Sequence, residues 1–483
     1  MAGEFSVIQL WKLGNSCETA LNLTGCRNVR IIAKGVLFRF HGLWEGLRIE
    51  NCENISVEGL EFNIDRKPFS VARILEENDE GAIADIQDSR LLAGNTPFKR
   101  AMVWKDGKYT EIDVPSSIEL KDDGKLLLRG LQRKGLVGCQ LYLWHFYVYR
   151  PGIAIYDSSD VNIHSVRIYS FCGYGINGEG SRNISLDGVW VVPEPGLRVS
   201  TPVDATHFAS CQGRITYRNC HFAGHGDDAI NVHGYFHQTK IISSRECIAQ
   251  YRAGLRDFAH SGRKAVFNVG EHLILTRKDN LEILGEYTLV KSQDMPENAQ
   301  LLELDGPLPV SDSELLLNAK ERCSVELEIS GCTFSDHNAR SILAKCRRVK
   351  IMNNIFRHSV MAAIYIAPES FYAEASVTEE ILIKGNIFLD CGTRLPALPY
   401  DTACILVQVD APSLPRQRHG RLCIEYNLFE HTGTKHAVMV RDVENLKLSC
   451  NRFSPGQESI LLDSRRIGMI DCDCAYIDKT INN

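Results

Sequence analysis

The sequence lacks a surplus of positive charge and any long apolar run, and both absences narrow the classes of function. Its 483 residues include 54 Lys and Arg against 60 Asp and Glu, which gives a net charge of −6. Nucleic-acid-binding surfaces usually show a basic excess, so nucleic acid is not an expected partner. No stretch approaches the roughly 18 apolar residues of a membrane-spanning helix, and no charged-then-apolar signal peptide opens the chain. No membrane span is therefore predicted.

Cysteine pairs at zinc-binding spacing are also lacking, although the chain contains 17 cysteines. None forms a CxxC pair of the kind that zinc sites use. Several recur instead beside Gly, Asn or Ser, near the edges of predicted strands. We interpret most of them as small apolar residues stacked inside a repeat. One or two disulfides remain compatible with the sequence, so the cysteines do not assign a redox compartment. The recurring positions are Cys26, Cys52, Cys220, Cys332 and Cys450.

What the sequence does contain is short internal repetition. The segment Cys-Arg-Asn-Val-Arg-Ile from Cys26 recurs as Cys-Glu-Asn-Ile-Ser-Val from Cys52. A second pattern places Asn or Cys two positions before Phe, and in three cases an Ile follows eight positions after that Phe, at Ile230, Ile342 and Ile364. The second pattern occurs at residues 220–222, 332–334, 354–356, 386–388, 427–429 and 451–453.

These repeats predict an all-β parallel β-helix. Units of about 22–26 residues are shorter than helical repeats of about 33 residues, and they leave no room for a crossover helix. A coil of about three short strands solves this, because each strand pairs in parallel with its equivalent roughly 4.8 Å away. A solenoid core also grows in one dimension, which suits a chain too long for one compact core. An ordinary β-sandwich with coincidental spacing is the alternative.

Two stretches without the repeat predict inserted domains. Residues 66–150 and 236–320 contain strand-like segments joined by charged turns, and each is long enough for a small β-barrel or sandwich. The predicted order is N-terminal coils at 1–65, an inserted domain at 66–150, coils with acidic residues at 151–235, a second inserted domain at 236–320, and C-terminal coils with a tail at 321–483.

Three aspartates between residues 204 and 233 form the candidate active site. Asp204 and Asp228 are 24 residues apart, which is about one coil, so their side chains should stack. Asp227 is adjacent, in a turn opened by Gly224 and Gly226. Neighbouring residues of a regular strand point to opposite faces, but a glycine-flanked turn can direct both carboxylates into one cleft.

Such a cluster suits glycoside hydrolysis. Carboxylates at short range cannot all ionise freely, so at least one keeps a proton. One protonated acid with one carboxylate is the pair that glycosidases use, and an inverting enzyme needs them about 6.5–9.5 Å apart. One coil rise with a lateral offset is compatible with that separation. A solvated Gly-Asp-Asp turn and a metal site are the alternatives, but no HxH or HExxH spacing supports a metal, and none is predicted.

The motif also resembles a known family. The sequences DATHFASCQG at 204–213 and GHGDDAINVHG at 224–234 are similar to the motif region of glycoside hydrolase family 110, the α-1,3-galactosidases that act on blood-group-B and related glycans. Segments 38–42 and 340–344 are also similar to family segments, and the resemblance extends over about residues 20–465. It implies a right-handed β-helix with two small β-barrel domains, inversion of configuration, and no metal or other cofactor.

The resemblance also implies roles for the three aspartates. Asp227 would be the general acid that protonates the leaving oxygen, while Asp204 and Asp228 would position and deprotonate a water molecule. The wider pectin-degrading β-helix hydrolases are similar in placing one Asp a coil before an Asp-Asp pair. Family members usually begin with an export signal, so the resemblance implies a secreted or periplasmic full-length protein, although this chain shows no such signal.

Five further residues are predicted substrate contacts. Arg340 lies in register with Asp228, where it would anchor a sugar or pair with the acid, and a surface salt bridge is the alternative. Trp190 precedes a loop that would overhang the cleft, and a core position is the alternative. The five are His207, His233, Arg340, Trp190 and Glu194. Weaker candidates on later coils are His358, Tyr365, Glu369, Tyr372 and Glu374.

The predicted function is an inverting exo-glycosidase that removes terminal α-1,3-linked galactose from glycans. A pectin-type hydrolase or lyase remains an alternative, as does a non-catalytic glycan-binding adhesin. A glycoconjugate with terminal galactose is the expected partner, and a homodimer is compatible with the sequence.

Overall fold

Parallel strands stacked coil upon coil form the body of the molecule in the computed structural model. The structure describes residues 3–8, 19–42, 44–65, 67–86, 100–105, 108–111, 116–121, 123–130, 135–144, 150–250, 267–311, 313–392, 403–430, 436–454, 460–472 and 477–478. Each complete coil contributes one strand to a front sheet and strands to a longer back sheet. The parallel β-helix predicted from the repeats is confirmed.

The front sheet has 13 strands, and its main path is parallel throughout. One short strand, Glu374–Ala375, pairs antiparallel with the end of a front strand. The parallel strands are Thr19–Thr24, Glu45–Glu50, Ile153–Tyr156, Ile176–Glu179, Thr206–Ala209, Ile230–Tyr235, Ile342–Ala344, Ile364–Ile366, Ile405–Val407, Val438–Val440, Ile460–Leu462 and Ile477–Asp478.

The back sheet has 20 strands in two parallel columns. The strands Gly3–Ile8, Arg27–His41 and Glu53–Ile64 begin it, and the last of these pairs with both columns. The first column contains Ser159–His164, Arg182–Asp187, Gln212–Arg218, Glu326–Ser330, Arg348–Met352, Glu380–Lys384, His419–Glu425, Val443–Ser449 and Ile467–Cys472. The second contains Arg167–Ile168, Trp190–Val191, His221–Ala223, Thr333–Ser335, Ile355–Arg357, Ile387–Leu389, Leu428–Glu430 and Arg452–Phe453.

The repeated sequence patterns correspond to ladders of identical side chains. The Phe residues of the second pattern stack with ring centroids 4.8–4.9 Å apart along the later coils, and the Ile and Val residues that follow them pair in register across the front sheet. The stacked rings are Phe334, Phe356, Phe388, Phe429 and Phe453. Stacking equivalent residues at the strand spacing lets one apolar core extend through every coil.

Asparagine and cysteine have related structural roles at the turns. Asn28 and Asn54 both have φ 56°, a left-handed conformation that Asn tolerates, and the Asn54 amide donates to Asn28 Oδ1 at 2.7 Å. The backbone N–H of Cys26 likewise donates to Cys52 Sγ at 3.3 Å. Twelve of the 15 described cysteines are buried, in agreement with their interpretation as small residues inside the coils.

Two antiparallel units interrupt the coils. The first is a seven-stranded sheet whose residues Phe69, Tyr142 and Trp144 pack against Val199 and Val360 of the solenoid. The second is a closed six-stranded barrel. The first unit contains Phe69–Asn78, Gly81–Ile86, Arg100–Lys105, Lys108–Glu111, Ser117–Leu120, Lys125–Arg129 and Gln140–Trp144. The barrel contains His237–Ile241, Glu246–Gln250, His272–Arg277, Ile283–Met295, Ala299–Leu304 and Leu315–Ala319.

Helical structure is minor in the described part of the chain. Two short 3₁₀ helices occur, at Glu321–Cys323 and Ser464–Arg466. Among the described residues, no helix has the length and apolar character that a membrane crossing requires.

Candidate active site

Three aspartates meet where two neighbouring front strands begin. Asp204 precedes the strand Thr206–Ala209, and Asp227 and Asp228 precede the strand Ile230–Tyr235. The Asp228 backbone N–H donates to Asp204 Oδ1 at 3.2 Å. One carboxylate oxygen from each of the three aspartates lies within 4.8 Å of the other two. The structure therefore brings all three carboxyl groups into one cluster.

Two glycines shape the turn that carries Asp227 and Asp228. Gly224 has φ 72°, and a Cβ there would lie 2.5 Å from the Arg198 carbonyl oxygen. A Cβ on Gly226 would lie 2.3 Å from the Pro202 carbonyl oxygen. The turn thus packs its backbone directly on the preceding coil, which only glycine permits at these distances. This close packing sets the adjacent carboxyl groups next to Asp204.

Arg340 binds both carboxyl oxygens of Asp228. Its Nε donates to Asp228 Oδ1 at 2.8 Å, its Nη2 donates to Oδ2 at 3.0 Å, and its backbone N–H also donates to Oδ1 at 2.9 Å. Bidentate guanidinium–carboxylate pairs of this kind are strong and directional. Burial alone would lower the pKa of Arg340, but Asp228 and Glu369 outweigh it and hold that pKa well above its usual range. The Arg340 guanidinium is therefore fixed against both oxygens of Asp228.

Asp204 has the opposite electrostatic environment. Its side chain is buried, and burial raises its pKa well above the usual value for Asp, with further increases from the charges of Asp227 and Asp228. Asp227 is only partly buried. Asp204 is therefore favoured to hold a proton, and Asp227 is the aspartate most accessible to a ligand.

The spacing of the acids differs from the expectation for an inverting pair. Carboxylate oxygens within 4.8 Å of each other are closer than the about 6.5–9.5 Å expected between acid and base. The reason is that Asp204 and Asp228 occupy equivalent positions on neighbouring coils, where parallel strands lie about 4.8 Å apart without a lateral offset. The spacing therefore does not assign the stereochemistry of the reaction.

A buried ion-pair network supports the cluster from the next coils. Arg340 Nη1 lies 3.7 Å from Glu369, and Lys345 Nζ lies 2.6 Å from the other oxygen of Glu369 and also contacts Glu374. Burial alone would raise the pKa of Glu374, but His233 and Lys345 outweigh it and lower the pKa to about 2. The fully buried Lys345 is therefore compensated by two carboxylates, as a buried ammonium group requires.

Two predicted contacts, His207 and His233, form a pair beside this network. Their Nε2 atoms are 3.1 Å apart, and His233 Nδ1 donates to the Gly234 carbonyl oxygen at 2.8 Å. Since that bond fixes the tautomer, the His233 Nε2 atom accepts from His207. Burial lowers the pKa of both histidines, that of His207 to about 3. His233 is buried, whereas His207 is partly exposed and is the better placed to contact a ligand.

The structure does not bring Trp190 and Glu194 to the aspartates by any contact described. Trp190 lies in the back sheet, where the Arg167 guanidinium is 4.6 Å from its ring centroid. Glu194 lies 2.7 Å from Lys67 Nζ and accepts from the Asn63 amide at 2.9 Å. These contacts tie the loop after Trp190 to the start of the first inserted unit.

The weaker candidates also separate into two groups. His358 follows a back strand and pairs with Asp336 at 2.9 Å, away from the front sheet. Tyr365 lies on the front sheet, and the Arg340 guanidinium is 5.7 Å from its ring centroid. Glu369 and Glu374 belong to the buried network, and Tyr372 is 42% exposed on the loop between them.

Lys345 is the important residue that sequence reasoning missed. The sequence does contain a signal for it, because in several front strands the residue three positions after the first Ile or Val is polar. These residues are His233, Lys345, Gln408 and Arg441. Aligning the repeats at that position would have placed all four at the same end of the front sheet.

Comparisons with known proteins give a consistent set of relatives. No protein-family model matches the chain. The chain is 24% identical over 469 residues to alpha-1,3-galactosidase B of Bacteroides thetaiotaomicron, covering 89% of this chain and 74% of that protein. It is 30% identical over 393 residues to alpha-1,3-galactosidase A of Bacteroides fragilis, covering 75% of this chain and 64% of that protein. The matched region thus spans about two thirds to three quarters of these relatives' lengths.

A solved structure gives only a remote likeness. The family 28 exopolygalacturonase of Yersinia enterocolitica matches with a TM-score of 0.35 and 9% identity, covering 98% of this chain and 71% of that one. This similarity is too low to inform function. The sequence relatives are more specific, because alpha-1,3-galactosidases A and B from several bacteria align over most of the chain. The chain is homologous to these alpha-1,3-galactosidases, which confirms its resemblance to glycoside hydrolase family 110.

Proposed function

We propose that the protein is an exo-glycosidase that hydrolyses terminal α-1,3-linked galactose from glycans. The observation that carries the proposal is the cluster of Asp204, Asp227 and Asp228, in which Asp204 is buried with a raised pKa, Asp228 is bound by Arg340 and Asp227 is partly exposed. Two carboxyl groups whose environments separate their protonation states are the requirement for acid–base hydrolysis of a glycosidic bond. The names of the relatives supply the sugar and the linkage.

The proposed mechanism assigns one step to each aspartate. Asp227, the most accessible of the three, donates a proton to the glycosidic oxygen as the bond from that oxygen to C1 of galactose breaks. Asp204 and Asp228 hold a water molecule that attacks C1, and its proton passes to this pair. An oxygen of Asp204 lies within 4.8 Å of an oxygen of Asp227, so the proton on Asp204 can pass to Asp227 before the reaction, and the proton released by the water then returns to Asp204.

Arg340 and the partly exposed His207 have supporting roles in this proposal. Arg340 fixes both oxygens of Asp228, so that carboxylate keeps one orientation during the reaction. A preorganised charge is more effective than one that must reorient in the transition state. His207 would donate or accept a hydrogen bond from a galactose hydroxyl. We also propose that the full-length protein acts outside the cytoplasm, where glycans with terminal galactose are displayed.

Sugar release with anomer analysis tests the proposal. The protein is incubated with galactosyl-α-1,3-galactose and the blood-group-B trisaccharide, with α-1,4- and α-1,6-linked galactosides as controls. We expect galactose from the α-1,3-linked substrates only, with the β-anomer as the first product by proton NMR. Release of no galactose from any α-1,3 substrate would refute the function. Release of the α-anomer would refute inversion alone and would make one aspartate a nucleophile.

A further inference from the structure

A cavity adjoins the aspartates on the side of the later coils. Its volume is about 530 Å³, and its lining combines polar groups with an apolar wall. Gln408 Nε2 donates to the Tyr365 hydroxyl at 3.0 Å, so the polar part of the floor is ordered. The lining includes Arg340, Tyr365, Gln408, Asp410, Leu414 and Arg441. Directional polar groups beside apolar surface are the usual composition of a small-molecule site of this size.

Arg340 connects this cavity directly to the candidate catalytic cluster. One edge of its guanidinium binds both oxygens of Asp228, and the same side chain lines the cavity. A ligand in the cavity therefore lies next to the group that orients Asp228. On the preceding coil, on the other side of the cluster, Tyr174 and Asn177 are buried and both contact His207, with the Tyr174 ring centroid 5.1 Å from that of His207.

An exposed apolar rim lies beside the cavity. The loop between Glu369 and Glu374 is anchored at both ends by the buried network, and it places Phe371 and Tyr372 at its tip. Phe371 is 76% exposed and contacts Tyr372 edge to face, with centroids 5.1 Å apart. Exposed aromatic rings on a loop that is anchored at both ends are suited to contact the apolar face of a ligand.

The cavity wall formed by residues 410–415 lies next to that loop and is hydrogen-bonded to the inserted barrel. The Ser370 backbone N–H donates to the Asp410 carbonyl oxygen, so the loop and the wall are adjacent. Further along the wall, Ser413 donates through its backbone N–H and its hydroxyl to the Asp279 carbonyl oxygen of the inserted barrel. Leu414 lines the cavity and is 66% exposed, which carries the apolar surface from the cavity to the outside. The inserted barrel thus braces this side of the site.

From these observations we propose that the cavity and the loop 369–374 bind the sugar residues on the leaving side of the scissile bond. The inference rests on the proposed function. The terminal galactose would lie in a pocket that ends at Tyr174 and Asn177, whereas the remainder of the glycan must extend towards solvent. The cavity beyond Arg340 supplies that path, with Asp410 and Arg441 for sugar hydroxyls and Phe371 and Tyr372 for the apolar face of a ring.

Kinetics on substrates with small and large leaving groups test this inference. The Phe371→Ala and Tyr372→Ala variants are compared with the native protein on nitrophenyl α-galactoside and on the blood-group-B trisaccharide. We expect kcat/KM to fall about tenfold on the trisaccharide and less than about twofold on the aryl galactoside, because one lost aromatic contact is worth about 0.5–1.5 kcal/mol. Tyr426→Ala is the matched control, since Tyr426 is 57% exposed on the back of the solenoid.

The outcomes separate this inference from the function on which it rests. An equal loss on both substrates, or no loss on either, would overturn the leaving-side assignment while the native protein stays active. Inactivity of the native protein on both substrates would overturn the proposed function and the inference with it. Asp410→Asn is a second variant that changes the cavity floor without the aromatic loop, and it should show the same substrate dependence. A loss confined to the aryl galactoside would also contradict the inference.

Discussion

The later back coils and the front sheet near residue 204 use the same backbone repeat for different purposes. In the back coils, equivalent positions hold identical residues, such as Asn354, Asn386 and Asn427, and each amide donates to the Oδ1 atom of the next at 3.0 Å. In the front sheet, equivalent positions hold Asp204, Asp228 and then Arg340, so neighbours differ in charge. Ladders of identical residues stabilise the solenoid, whereas a ladder of charged residues forms the candidate catalytic site.

The two regions differ energetically because the ladder is held by hydrogen bonds between neutral amides, whereas the front network is held by ion pairs. Asn386 and Asn427 each donate to the next Asn of the ladder and accept from the one before it, and these side chains carry no charge. The front-sheet network buries Lys345, Glu369 and Glu374 and depends on complete pairing. Variants in the front network should therefore affect catalysis or be severely destabilising, whereas variants in the ladder should affect stability alone.

The largest expected effect is on turnover by Asp227→Asn. Loss of a general acid should lower kcat on sugar leaving groups by about 10²–10⁴-fold, with little change in thermal stability, because Asp227 is only partly buried. An activated leaving group needs no protonation, so the loss on dinitrophenyl α-galactoside should be much smaller. Asp204→Asn should lose activity on both substrates. Equal losses for both variants on both substrates would show that Asp227 is not the acid.

The next largest effect concerns the stability of the front network. Lys345→Met leaves Glu369 and Glu374 buried without their shared cation, which should destabilise the fold by about 3–5 kcal/mol in denaturant unfolding. Adding Glu374→Gln to that variant removes one of the two stranded charges and should restore part of the loss. A single variant as stable as the native protein would mean that these carboxylates are neutral in the folded state.

The ladder provides the contrasting prediction. Asn386→Ala removes an amide that donates to Asn427 Oδ1 and to the Ile351 carbonyl oxygen, and it leaves the Asn354 groups without their acceptor. Loss of buried hydrogen-bond partners costs about 1–3 kcal/mol. The midpoint of unfolding should fall accordingly, while kcat on the trisaccharide stays unchanged. A fall in kcat for this variant would mean that the two regions are coupled.

The same contrast explains what the sequence could predict. Identical residues at a fixed spacing, such as the Phe and Asn ladders, indicate the coil directly, and the spacing of Asp204 and Asp228 places them one coil apart. The Lys345 network escaped prediction because, although Lys345 lies at a repeat position, its partners Glu369 and Glu374 lie on a segment that follows no repeat. Trp190 resembles an overhanging aromatic in sequence, but its strand belongs to the back sheet, and only the three-dimensional pairing decides that.

The smallest effect compares two partly exposed front-sheet carboxyl groups, Glu179 and Glu374. Lys345 and His233 hold the pKa of Glu374 at about 2, whereas burial raises the pKa of Glu179 to about 7, with only partial opposition from Arg322. A raised pKa means that folding favours the protonated form. Glu179 therefore begins to destabilise the fold as pH rises above its unfolded pKa near 4.5, and the penalty is complete above about pH 7.

Glu179→Gln should remove that penalty because the neutral amide does not ionise. The variant should match the native protein in unfolding free energy near pH 4 and exceed it at pH 8, by on the order of 1 kcal/mol after allowance for partial exposure. Denaturant unfolding at the two pH values measures the difference. Equal gains at both values would indicate packing rather than ionisation. A destabilised variant at pH 8 would show that the Glu179 carboxylate has a cationic partner and that it resembles Glu374 instead.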